Sequence, residues 1–122
     1  MALTASPVNE SGVTMTVSGN KIVMKGNVDS AQPGKFMQPF FAEVHENILK
    51  NGIKSIEVDI KELNFLNSSG IKELVAWIMK LESVPAAEQY KIKFLCNKDL
   101  LWQESSISTI LFLNPDMISQ EY

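Results

Sequence analysis

The stretch from residue 56 to residue 83 constrains the fold more than any other. Ile56, Val58 and Ile60 alternate with charged residues, the period of a half-buried strand. A short polar loop follows and closes on Asn67-Ser68-Ser69-Gly70. From Gly70 to Ser83 the apolar residues Ile71, Leu74, Val75, Ile78 and either Leu81 or Met79 fall at helical spacing. A strand that hands directly to a helix is the building unit of α/β folds. It also brings two serine hydroxyls to a helix start, where backbone N–H groups without helical partners favour an anion. A serine there either caps the helix or carries a phosphate.

The rest of the chain fits around this unit. Val13 to Val17 and Lys21 to Lys25 read as a hairpin turning at Ser18-Gly19-Asn20, with a loop from Gly26 to Ser30. Met37, Phe40, Phe41, Val44, Ile48 and Leu49 mark a helix between Phe36 and Asn51. Pro39 belongs in a first turn, so the regular helix is expected to begin near Gln38. Ile53 to Ile60 and Lys91 to Cys96 read as strands, Val84 to Gln89 as a loop, and Asp99 to about Ser105 as a short helix. Ser108 to Leu113 fits either more helix or a last strand. The order implies an α/β fold in one mixed sheet of four to five strands, with helices mainly on one face. Residues 1–12 are small and polar and are expected to be disordered, leaving residues 13–122 as a single domain.

Composition narrows the function. At 122 residues one core suffices without metal or disulfide, and the single cysteine, Cys96, reads as a buried inert thiol. A net charge of −3 argues against nucleic acid as a partner. All eleven basic residues are lysines, so guanidinium clamps are excluded. No cofactor or metal site is expected: His45 is the only histidine, and no Gly-rich phosphate loop occurs. A serine hydrolase would need His45 to reach Ser68, and the Gly-x-Ser-x-Gly elbow is absent. Nothing approaches the roughly 20 apolar residues of a membrane span, so a cytoplasmic protein without membrane insertion is expected. Trp77 lies on the Lys72, Glu73 and Lys80 side of its helix, and reads either as an exposed anchor for a partner or as packed under a loop. Trp102 reads as core beneath the last helix.

The order of elements and the turn at 67–70 together resemble the STAS domain, and within it the bacterial anti-sigma-factor antagonists. That family places Asp-Ser-Ser/Thr-Gly between its central strand and the next helix; the matching residues are Asn67, Ser68, Ser69 and Gly70, preceded by Leu63-Asn64-Phe65-Leu66. Gly26-Asn27-Val28-Asp29 matches a Gly-x-x-Asp that the family carries in a loop near its phosphorylation site. The resemblance covers about residues 13–113. It implies a non-enzymatic switch in transcription regulation, with Ser68 as the phosphoacceptor and Ser69 as the alternative. The implied partners are a serine kinase that is also the anti-sigma factor, and a metal-dependent serine phosphatase. Asp29, Asn67, Ser69, Gly70, Lys72 and Trp77 are the expected partner-binding residues. Asn67 stands where the family usually has aspartate, which removes a charge beside the phosphate and an acid that would position the hydroxyl. A carboxylate at this helix start is expected to be worth about 0.3–1 kcal/mol. A constitutive STAS-like adaptor without phosphorylation is the alternative.

Overall fold

Six strands lie side by side in chain order, β1-β2-β3-β4-β5-β6, in a computed structural model that describes residues 3–10 and 12–122. The strands are β1 (Val8–Glu10), β2 (Val13–Ser18), β3 (Lys21–Val28), β4 (Ser55–Leu66), β5 (Lys91–Leu95) and β6 (Ile118–Glu121). The helices are α1 (Gly34–Asn51), α2 (Ser68–Ser83) and α3 (Leu101–Leu113), with one 3-10 turn at Ala86–Glu88. The first three strands are antiparallel neighbours; β3 to β6 pair in parallel, with one helix in each connection. Crossovers of one hand that step in one direction put their helices on one face. Burial agrees. Ile22, Met24, Ile56, Val58, Ile60, Ile92, Phe94 and Ile118 are buried, while Lys21, Val23, Lys25, Glu57, Asp59, Lys91, Lys93 and Ser119 on the other face are exposed or half-buried.

The α/β class and the mixed sheet therefore hold, and several boundaries do not. The sheet has six strands where four to five were expected. Over its described part the N-terminal segment is ordered: β1 pairs with β2, the Leu3 amide donates to the Gly19 carbonyl at 3.0 Å, and the Leu3 side chain is buried. A segment poor in apolar residues is held by one buried leucine and a sheet edge. The loop expected at 26–30 is strand as far as Val28, and the polar loop expected after Ile60 is strand as far as Leu66. These two extensions pair with each other: Gly26 lies opposite Leu63 and Val28 opposite Leu66. Register shifts after Val23 and after Gly26 let Leu63 and Leu66, three residues apart, both face the core. Helix α1 starts at Gly34, so Pro39 lies inside it, exposed on the solvent side, where the freed carbonyl meets water. Helix α3 runs through 108–113, and the last strand comes after it.

Beyond Asp59 β4 has no strand partner on its β5 side. Gln103 of α3 fills that edge. It is fully buried, its Nε2 donates to the carbonyls of Ile60 at 2.6 Å and Leu63 at 3.2 Å, and its Oε1 accepts from the Asn97 amide at 2.8 Å. The Asn97 side chain donates to the Lys61 carbonyl at 3.0 Å. Trp102, expected to fill the core beneath the last helix, stands on that helix and is half-buried against the core. Among the described residues no helix is long and apolar enough to cross a membrane.

Two predictions follow from this packing. Gln103→Leu keeps the bulk but orphans two carbonyls and an amide, each worth roughly 1–3 kcal/mol when buried. Urea denaturation is expected to find a loss in that range or above it, and a neutral result would mean that water replaces the side chain. Gly26 has φ +99°, and a Cβ there would lie 1.9 Å from the Gly12 carbonyl oxygen, whereas Gly19 has φ +62° and open space around it. Gly26→Ala is expected to cost more than ~2 kcal/mol and Gly19→Ala only about 1 kcal/mol. Equal losses would rule out the backbone clash as the cause.

Candidate functional site

At the end of the central strand the chain turns into α2 through Asn67, which has extended backbone (φ −73°, ψ 172°). Its side-chain Oδ1 accepts from the Gly70 amide at 2.8 Å, closing the first turn as a helix cap. Its Nδ2 donates to the Ser30 carbonyl at 2.8 Å, and its own amide donates to the Val28 carbonyl at 3.0 Å. One asparagine thus clamps the loop after β3 to the start of α2. Asp29 sits between the two clamped residues and is exposed. The structure brings Asp29, Asn67, Ser68, Ser69 and Gly70 together at the same end of the sheet.

With the cap made by Asn67, neither serine is needed for it. Ser68 is the first residue of α2 and is exposed; Ser69 is half-buried. The first intrahelical bond runs from the Ile71 amide to the Asn67 carbonyl at 3.0 Å, so the amides of Ser68 and Ser69 have no helical acceptor. The Ser68 hydroxyl therefore stands at the positive end of the helix macrodipole. Lys72 is exposed one turn further along. Gly70 is buried, and a Cβ on it would meet Leu66 Cδ1 at 2.5 Å and Val28 Cγ1 at 3.1 Å. The glycine allows α2 to approach both strands closely. Sequence reading missed Ser30, whose carbonyl the clamp uses, and Phe65, an apolar side chain left 45% exposed two residues before Asn67.

Trp77 is not part of this group, and its reading as an exposed partner-binding anchor is corrected. It is 1% exposed. Its ring stacks on Phe41 of α1 at 4.6 Å between centroids, and its Nε1 donates to the Tyr90 hydroxyl at 2.9 Å. It joins α1, α2 and the segment leading into β5. The same hydroxyl lies 2.6 Å from His45 Nδ1. His45 is eleven residues into α1 from Gly34, which begins at the Ser68 end of the sheet. That places it about 16 Å down the helix axis. A groove of about 480 Å³ between α1 and α2, lined by Gln38, Phe41, Glu73, Trp77 and Lys80 among others, does not include Ser68. Burial pushes the Cys96 thiol up to about 11, so it stays protonated and unreactive at neutral pH. Among the described residues no group of three His, Cys, Asp or Glu side chains is placed to hold a metal ion.

Compared with models of known protein families, with curated proteins and with solved structures, the chain matches none.

The clamp reverses one expectation. A carboxylate at 67 keeps the Gly70 bond and gains from the helix dipole by about 0.3–1 kcal/mol. It also loses the donor to Ser30 and sets an anionic oxygen against a carbonyl, a loss of about 1–3 kcal/mol. Asn67→Asp is therefore expected to lower thermal stability slightly, and Asn67→Ala by more, since both bonds go. An Asp variant melting above wild type would mean that the Ser30 bond contributes nothing.

Proposed function

We propose that this chain is a STAS-like switch protein, an anti-sigma-factor antagonist or a close regulatory relative, acting in signal transduction by partner switching in a bacterial cytoplasm. The observation that carries the reading is the exposed Ser68 hydroxyl at the first position of α2, released from capping by Asn67. A serine kinase that is also the anti-sigma factor docks on the Ser68 turn, the Asp29 loop and the exposed start of α2. It transfers a phosphoryl group to the Ser68 oxygen, and a serine phosphatase removes it.

The phosphate adds about −1.5 to −2 charge and three acceptor oxygens. On the protein itself this is tolerable, because the helix dipole and Lys72 favour an anion there. In the interface it is not, because a dianion must be desolvated against a partner surface shaped for a neutral hydroxyl. Binding is thus lost while the fold is kept. The second reading is a constitutive adaptor of the same fold. It is favoured by Asn67, whose amide has a structural use that aspartate lacks.

Incubation with ATP and candidate serine kinases, followed by intact mass and peptide mapping, tests the switch. One phosphate on Ser68, lost in Ser68→Ala and retained in Ser69→Ala, is the expected result. Ser68→Glu is expected to weaken partner binding far more than Ser68→Ala, with both variants folded, since neither residue makes the cap. Equal binding by wild type, Ala and Glu variants would leave the adaptor as the better reading.

A further inference from the structure

His45, Tyr90 and Trp77 come from α1, from the residue before β5 and from α2, and meet at one oxygen. The direction of this chain of hydrogen bonds follows from satisfying every buried donor. An indole nitrogen only donates, so the Tyr90 oxygen accepts from Trp77. Its single proton finds an acceptor in His45 Nδ1, 2.6 Å away; the opposite tautomer would leave that buried proton without a partner. The imidazole is therefore neutral, with its own proton on Nε2. Tyr90 is fully buried and Trp77 is 1% exposed, so none of these bonds is readily replaced by water.

We propose that this three-residue chain is an acid-sensitive latch that fastens α1 and α2 to the start of β5. A proton on His45 Nδ1 turns the acceptor into a donor. Two donors then face the Tyr90 oxygen, and the phenol proton is left without an acceptor inside the protein. The residues one turn away on α1 are Phe41 and Ala42 on one side, Ile48 and Leu49 on the other. Glu43 and Glu46 are exposed on α1, and Glu88 is exposed on the segment before β5. From α2 comes Lys80, a second cation acting on the ring. None of the ion pairs among the described residues involves His45.

Burial first, and Lys80 second, hold His45 below the usual imidazole value, and burial raises the Tyr90 phenol, which stays a donor. The unfolded chain therefore takes up the proton first as pH falls. The latch's contribution is complete above the ordinary imidazole range of about 6.5 and is lost progressively below it, down through the depressed folded value. Because Phe41 and Trp77 floor the groove between α1 and α2, release of the latch loosens that groove first. The inference is independent of phosphorylation at Ser68.

Long-range proton–nitrogen spectra of the full chain test it. At neutral pH His45 is expected in the Nε2–H tautomer. On acidification its midpoint is expected below that of free imidazole, with the Trp77 indole resonance, distinguished from that of Trp102 through Trp102→Phe, moving at the same midpoint. The melting temperature falls across the same window. His45→Gln is expected to abolish the response of the indole resonance and that part of the acid loss. Tyr90→Phe, which keeps the ring, is expected to raise the His45 midpoint; if it does not fold, His45→Gln still decides. An Nδ1–H tautomer at neutral pH overturns the proposal, as does an indole resonance that stays still while His45 titrates, or an acid response unchanged in His45→Gln.

Discussion

The central strand is longer than its neighbour, and much of the molecule follows from that. Strand β4 pairs with β5 only from Ser55 to Asp59 and with β3 as far as Leu66. The carbonyls of Ile60 and Leu63, left without a β5 partner, lie in the interior, where the absence of partners would be costly. Gln103 supplies the donor to both, and Asn97 the donor to the Lys61 carbonyl between them. That requirement draws the first turn of α3 against β4 and fixes where the last connection runs. It also carries the end of β4 beyond β5, so that the turn into α2 stands at the rim of the sheet beside the loop from β3. The exposure of Ser68 depends on this overhang.

Asn67 then fixes the arrangement of this rim. Its side chain holds two loops in one arrangement, using both halves of the amide. An aspartate would provide the cap but would face the Ser30 carbonyl with the wrong polarity. The asparagine at 67 is thus tied to a second loop, a constraint that the sequence around it does not display. Gly70 adds the third condition, since α2 can seat against Leu66 and Val28 only without a side chain there.

Strand 56–60 and the helix after Gly70 were legible because each buries one face of a regular period. What followed Ile60 was not. Lys61-Glu62-Leu63-Asn64-Phe65-Leu66 does not alternate, because the register shifts against β3 change the face that the core side chains take. Strand β1 and Leu3 depend on contacts with distant parts of the chain, and local composition is silent about those. Trp77 was misplaced for a different reason. Leu74, Trp77, Ile78 and Leu81 are the buried stripe, and they sit at perfect helical spacing. The lysines and the glutamate around them, Lys72, Lys80 and Glu73, drew the tryptophan to the wrong side. The pairing of Asn67 with Ser30 spans 37 residues, beyond any local pattern.

Strand order that follows chain order has a consequence for assembly. Among the described strands growth never switches to the opposite edge, as it does in doubly wound sheets. Each unit of strand, helix and strand joins a single open edge, and the edge it joins was completed by the segment just before it. The sheet can grow in the direction in which the chain is synthesised, and its longest strand, β4, is in place before the two parts that close its overhang, Asn97 and Gln103, arrive.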